Sequence, residues 1–191
     1  MKKLIFLHGS GSDKNFCNSL MHKVADFCCA DLITFNAPFE HPEKINKYRW
    51  FDKIAVDGRR DAVVEEYMYS LQYIKNKINE LCLDTKDVIL IGHSQGGGMA
   101  VHIGLELELS TVVSINGDLP YNISYKKNTK TPVYWLAGEK DTYIDDNRKK
   151  SYKLIQENNN FHFLMLKNST HKDFENDLLE LINEKIIKFW I

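Results

Sequence analysis

Only four cysteines occur in the 191 residues, and neither sign of charge is in excess, with 25 Lys and Arg against 26 Asp and Glu. The cysteines, Cys17, Cys28, Cys29 and Cys82, form no C-x-x-C pair. That excludes a disulfide framework and points to reduced, mostly buried thiols in a cytosolic protein. A formal net charge of -1, with both signs mixed along the chain, supplies no field that would recruit nucleic acid or an anionic membrane. The apolar run after Lys2-Lys3 stops at His8-Gly9, too short for the core of a signal peptide, and no stretch approaches membrane-spanning length. The seven histidines show no H-E-x-x-H or comparable ligand spacing, so neither a metal nor a cofactor is expected. Internal repeats are absent as well.

What is present is 43% hydrophobic and 12% aromatic residues, enough for a substantial core in one domain over residues 1–191. Lys3–His8 reads as a strand, followed by the loop Gly9-Ser10-Gly11-Ser12-Asp13. Helical spacing of Phe16, Leu20, Val24 and Phe27–Cys28 predicts a helix within Asn15–Ala30. Leu32–Phe35 is a second strand. Val63, Tyr67, Leu71, Ile74, Ile78 and Leu81 predict one long amphipathic helix over Arg59–Leu83. Further strands are expected at Val88–Ile91, Thr111–Ile115, Val133–Ala137 and Phe161–Leu166, with helices around Arg148–Asn158 and Phe174–Trp190. Alternating strands and helices mean an α/β architecture: a minimal doubly wound parallel sheet of about six strands with helices on both faces. Between Asn36 and Gly58 nothing is periodic, and the stretch holds Pro38, Phe39, Tyr48, Trp50 and Phe51, a candidate binding wall at a strand's carboxyl end. Tyr121–Lys130 reads as a solvated surface loop.

Gly92-His93-Ser94-Gln95-Gly96 stands where the apolar run Val88–Ile91 turns into the helical Gly97-Gly98-Met99-Ala100-Val101. Such a strand-to-helix turn forces its serine into a strained conformation and admits only residues without bulk at the flanking glycines. It is a candidate nucleophile elbow. A serine hydroxyl is a weak nucleophile, so it needs a histidine to take its proton and a carboxylate to orient that histidine. Of the downstream histidines, His102 falls on the elbow helix pointing away from its start, and His162 falls in an apolar strand, where a satisfied structural role is expected. His171 falls in a loop after the last strand, at the sheet's carboxyl edge. The carboxylate is Asp141, in Gly138-Glu139-Lys140-Asp141, or Asp118, in Asn116-Gly117-Asp118-Leu119-Pro120; the turn at Gly138 is the tighter signal. Oxyanion donors are the N–H of Gln95, at the start of the elbow helix, and the N–H of Ser10, in a loop that His8 props. Trp50, Phe51, Leu119 and Tyr143 are the candidate substrate-binding residues.

On these residues the chain resembles the α/β-hydrolase superfamily, and within it the phospholipase/carboxylesterase branch that includes acyl-protein thioesterases. The landmarks are Leu7-His8-Gly9, Ala37-Pro38, Trp50-Phe51-Asp52, Gly92 through Gly97, Leu119-Pro120, Thr131-Pro132-Val133, Gly138 with Asp141, and His171. The resemblance implies Ser94 as nucleophile, Asp141 as acid, His171 as base, and Ser10 with Gln95 as oxyanion donors. Three positions depart from the branch. Thr170 replaces the glycine before the histidine, Ser10 replaces a leucine, and the chain starts directly at the strand before the oxyanion loop, without two edge strands. The implied activity is hydrolysis of esters or thioesters of short to medium acyl chains through an acyl-enzyme. The alternatives are action on long-chain acyl groups, or ligand binding without turnover.

Overall fold

The computed structural model describes residues 1–57, 59–81, 84–125, 130–142 and 160–182. Six strands form one sheet in which every neighbouring pair is parallel: β1 (Lys3–Leu7), β2 (Asp31–Thr34), β7 (Val88–His93), β8 (Thr111–Ile115), β9 (Val133–Gly138) and β10 (Phe161–Leu166), in the order β10-β9-β8-β7-β1-β2. Four short strands lie apart as two antiparallel hairpins. The first pairs β3 (Phe39–Glu40) with β4 (Tyr48–Arg49), and the second pairs β5 (Lys53–Val56) with β6 (Arg59–Ala62).

Strand periodicity divides the core. Leu4, Phe6, Ile89, Ile91, Val113, Ile115 and Leu136 face one side, where they meet Leu20, Met21 and Val24 of helix α1 (Asn18–Phe27) and Leu178 of helix α4 (Glu175–Leu181). Their alternates Ile5, Leu7, Leu90, Val112, Val133 and Trp135 face the other side. There they meet Tyr67, Leu71, Ile74 and Ile78 of helix α2 (Val64–Glu80) and Met99, Val101 and Ile103 of helix α3 (Gln95–Glu106). A sheet buried on both faces explains why its central strands are continuous apolar runs rather than alternating ones. Each buried Leu, Ile, Phe or Met side chain contributes roughly 1.5–3 kcal/mol. The outer strand β10 is less covered: Phe163 and Met165 are exposed, and so is His162, which stacks on Tyr134 with ring centroids 4.9 Å apart. It is therefore a surface histidine, held by that stack.

The helix expected over Arg59–Leu83 is shorter. Arg59–Ala62 pairs with Lys53–Val56 instead, Asp57 has a φ of 49°, and Val63 is extended, so α2 begins only at Val64. The Asp57-Gly58 dipeptide is the hairpin signal for this turn, and it outweighs the helical spacing that Val63 extends upstream. Likewise α1 ends at Phe27; Cys28 caps it and Cys29, exposed, follows with a φ of 48°. Burial pushes the thiols of Cys17 and Cys28 up to about 12. Cys82, Tyr143, the helix expected around Arg148–Asn158 and the far half of the closing helix lie outside the described residues. Among the described residues, no helix is long and apolar enough to cross a membrane.

Helix α3 crosses β1 and β7 at very short range. A Cβ on Gly92 would stand 2.1 Å from the carbonyl oxygen of Gly96, and one on Gly96 would stand 2.4 Å from that of Leu7. Both contacts are to backbone, which cannot move without displacing a central strand. Gly96→Ala is therefore expected to destabilise the fold by about 3 kcal/mol or more. Urea unfolding measures this, and an alanine variant within about 1 kcal/mol of the wild type would contradict it.

Candidate active site

Connectivity places the site. From β1 the chain moves to one edge of the sheet at β2, then returns to the other side of β1 as β7 and proceeds outward to β10. The carboxyl ends of β1 and β7 meet at this reversal, where Leu7 lies opposite Gly92, and such switch points form crevices in open α/β sheets. Ser10 comes from the loop after β1 and Ser94 from the turn after β7. Asp118 follows β8, Asp141 follows β9 and His171 follows β10.

Ser94 has φ 52° and ψ -120°, a conformation that costs a residue with a side chain roughly 1–3 kcal/mol. Its own backbone holds it there: its N–H donates to Ile115 O at 2.8 Å, and its carbonyl accepts from Gly98 N at 3.2 Å. The side chain faces His171, with Nε2 3.1 Å from Ser94 Oγ. His171 Nδ1 lies 2.9 Å from Asp141 Oδ2, and the Asp141 side chain is fully buried. A carboxylate only accepts, so Nδ1 carries the proton and Nε2 offers its lone pair to the serine hydroxyl. Asp118 is engaged elsewhere, 3.2 Å from Lys53 Nζ.

Several cross-ties hold the histidine loop against the acid loop. Glu139 N donates to Leu166 O at 2.9 Å and Lys140 N to Ser169 O at 3.0 Å. Buried Asn116 accepts from Gly138 N at 2.8 Å through Oδ1, and its Nδ2 donates to the carbonyls of Thr170 at 3.1 Å and His171 at 3.2 Å. His93 Nε2 also donates to His171 O, at 2.7 Å, while its ring stacks on Phe174. Thr170 finds a use for its hydroxyl, which accepts from Asp173 N at 3.0 Å and caps the turn after the histidine. Residue patterns alone do not single out Asn116 or His93. The one signal at Asn116 is an asparagine directly after a strand, a residue suited to the left-handed φ of 52° it adopts.

Ser94's N–H is occupied, whereas Gln95 is the first residue of α3, where N–H groups lack partners within the helix. The Gln95 side chain has its own task. It accepts from Trp50 N at 2.8 Å and donates to Phe51 O at 2.7 Å, joining the aromatic loop to the elbow. Trp50 is wholly buried and donates through its indole to His8 O at 2.8 Å. Trp50 and Leu119 thus sit in the core rather than on the wall of the crevice; Phe51 does reach that wall, and Tyr143 lies outside the described residues. The crevice is a cavity of about 430 Å³ on which Ser10, Phe51, Ser94, Gln95, Asp118 and His171 all open.

A doubly wound parallel sheet carrying a strained serine, a histidine and a buried aspartate at its carboxyl edge defines the α/β-hydrolase fold. Residues 1–189 match the phospholipase/carboxylesterase family, and the chain belongs to that family of ester hydrolases. Among solved structures it is similar to a variant of SOBER1 from Arabidopsis thaliana, 18% identical, covering 100% of this chain and 99% of that one with a TM-score of 0.80. It is also similar to esterase PE8 (21% identical, 96% and 92% covered, TM-score 0.74) and to a carboxylesterase from Bacillus cereus (18%, 99% and 87%, 0.71). No curated protein matches the sequence.

His8 underlies the loop that carries Ser10. Its Nε2 accepts from Ala37 N at 3.0 Å while Nδ1 donates to Gly9 O at 2.8 Å, an arrangement that only the neutral ring satisfies. Burial, the largest influence, lowers its pKa below the ordinary 6.5. The unfolded chain then binds more protons than the folded one as pH falls below about 6.5, so His8's contribution is complete above that pH and is lost as pH falls towards the lowered value. Urea midpoints at pH 7 and pH 5 should separate more in the wild type than in His8→Gln; equal separations would show that His8 is not the group responsible.

Proposed function

We propose that the chain is a serine hydrolase cleaving carboxylic ester or thioester bonds of short to medium acyl chains, acting in the cytosol without a cofactor. The observation that carries this reading is the hydrogen-bonded line from Asp141 through His171 to Ser94, at 2.9 and 3.1 Å. As Ser94 Oγ bonds to the substrate carbonyl carbon, its proton passes to His171 Nε2, and Asp141 stabilises the imidazolium that forms. Gln95 N–H and Ser10 N–H donate to the oxyanion. Collapse breaks the bond to the leaving oxygen or sulfur, which takes the proton from Nε2. Water, deprotonated by the same nitrogen, then attacks the acyl-enzyme and releases the acid and the serine hydroxyl. The cytosolic reading rests on the sequence, whose four cysteines form no C-x-x-C pair and no disulfide framework.

Ser94→Ala and His171→Ala should each reduce p-nitrophenyl ester turnover to a small residual rate over water, and by similar factors, because the two act as one unit. Normal labelling of Ser94→Ala by a fluorophosphonate probe would defeat the nucleophile assignment. Asp141→Asn should lower kcat by up to about 10⁴ by favouring the wrong imidazole tautomer, whereas Asp118→Asn should lower it less than about tenfold. The reverse order would transfer the acid role to Asp118. Along a series of p-nitrophenyl esters, kcat/KM should peak at about four to eight acyl carbons, since a deep pocket would keep gaining roughly 0.8 kcal/mol for each buried CH₂. A rate still climbing at palmitoyl length would favour long-chain substrates.

A further inference from the structure

The cavity at Ser94 is walled by charge. Among the described residues, its cationic side chains are Lys44, Arg49, Lys53, Arg60 and Lys172, and its wall carboxylates, fewer in number, are Glu43, Asp52 and Asp118. The chain as a whole has a formal net charge of -1, whereas cationic side chains outnumber carboxylates on the described wall of the cavity. Arg49 is engaged by Glu66 from outside the cavity, at 3.2 Å from Nη2 to Oε1, and Lys53 by Asp118. Lys44 and Lys172 are both exposed, and neither has an acidic partner among the described residues.

These two lysines line the cavity on which Ser94 opens. Lys172 directly follows His171. Lys44 lies across Gly11, the second residue after Gly9 in the oxyanion loop; its Nζ stands 2.6 Å from where a Cβ on Gly11 would be, and Gly11 has a φ of 71°. Lys172 thus lines the cavity next to His171 in the chain, and the Lys44 ammonium lies beside Gly11 of the oxyanion loop. Among the described residues, the apolar side chains on the wall are Phe51 and Pro42, and Phe51 is only 2% exposed. Against the described wall, an alkyl chain would strip water from charged groups and gain apolar contact only at Phe51 and Pro42. A substrate with its own negative charge would replace that water with opposite charge.

We propose that the substrate of this site is a small ester bearing a carboxylate, and that Lys44 and Lys172 are the specificity-determining residues that receive it. The inference rests on the serine-hydrolase reading and adds the substrate's charge to it. Because both ammonium groups are exposed, the preference acts mainly on capture of the free substrate and is screened by salt.

Two pairs of esters test it, each rate normalised to the ester's own hydrolysis by hydroxide. 4-Acetoxybenzoate against 4-acetoxybenzamide places the charge on the leaving group. The p-nitrophenyl monoester of adipate against p-nitrophenyl hexanoate places it on the acyl group. At low ionic strength, the kcat/KM ratio of charged to neutral ester should be about tenfold or more in at least one pair, falling towards one in about 0.5 M salt. In the double variant Lys44→Glu/Lys172→Glu that ratio should drop by about tenfold or more. Taking the ratio within each protein cancels any loss of folded enzyme. Ratios at or below one in both pairs, or a preference that neither salt nor charge reversal weakens, would overturn the proposal while leaving the hydrolase reading intact. Hydrolysis of none of the four esters would overturn both.

Discussion

The close crossing of α3 over β1 and β7 is the constraint on which the site depends. At that crossing the chain leaves a central strand and enters a helix within a single residue, Ser94, at a φ of 52°. The backbones pass so closely that a methyl group at position 92 or 96 would overlap a carbonyl oxygen. The strain is local, and the surrounding sheet supplies the energy to hold it through Ser94 N–H on Ile115 O and through the apolar burial on both faces. The same turn aims the serine side chain out of the core and the free N–H groups of α3 towards it.

A rigid serine is of use only if the histidine meets it, and His171 lies in a loop rather than in the sheet. Its carbonyl is held by two side chains from different strand ends, His93 beside the serine and Asn116 after β8. Asn116 also holds Gly138, where the turn to Asp141 starts. The strand ends after β7, β8, β9 and β10 are thereby joined into one hydrogen-bonded edge. This arrangement fixes the distances of 2.9 and 3.1 Å along the line from Asp141 to Ser94 and leaves few ways for the imidazole to rotate.

Gln95 links the turn at Ser94 to the aromatic loop. Its amide bonds to both sides of the Trp50–Phe51 segment, while Trp50 reaches His8 through its indole. The aromatic loop thus serves in part as a structural brace, with Trp50 in the core and Phe51 at the cavity's inner edge. Much of the rest of the described wall comes from the hairpin segments around it, which contribute Lys44, Arg49, Lys53 and Arg60.

The elements legible in the sequence are those governed by local period and backbone sterics. Six parallel strands, the helices that cover them and the glycine-flanked serine follow from apolar runs, helical spacing and the need for residues without a Cβ. The start of α2 was less legible, because Val63 continues the helical spacing while Asp57-Gly58 turns the chain into a hairpin. Which residues touch could not be read from pattern. His171 and Asp141 stand thirty residues apart in the chain, and Asp118, the weaker of the two sequence signals, remains an alternative until Lys53 is found beside it. Trp50 reads as a binding residue until its burial is seen. Sequence determined the strand order of chemistry, because each reactive residue must follow a strand to reach the carboxyl edge. Tertiary structure alone decided which carboxylate meets the histidine, which side chains hold it there and what charge surrounds the serine, because those depend on contacts between segments whose separation along the chain leaves no periodic trace.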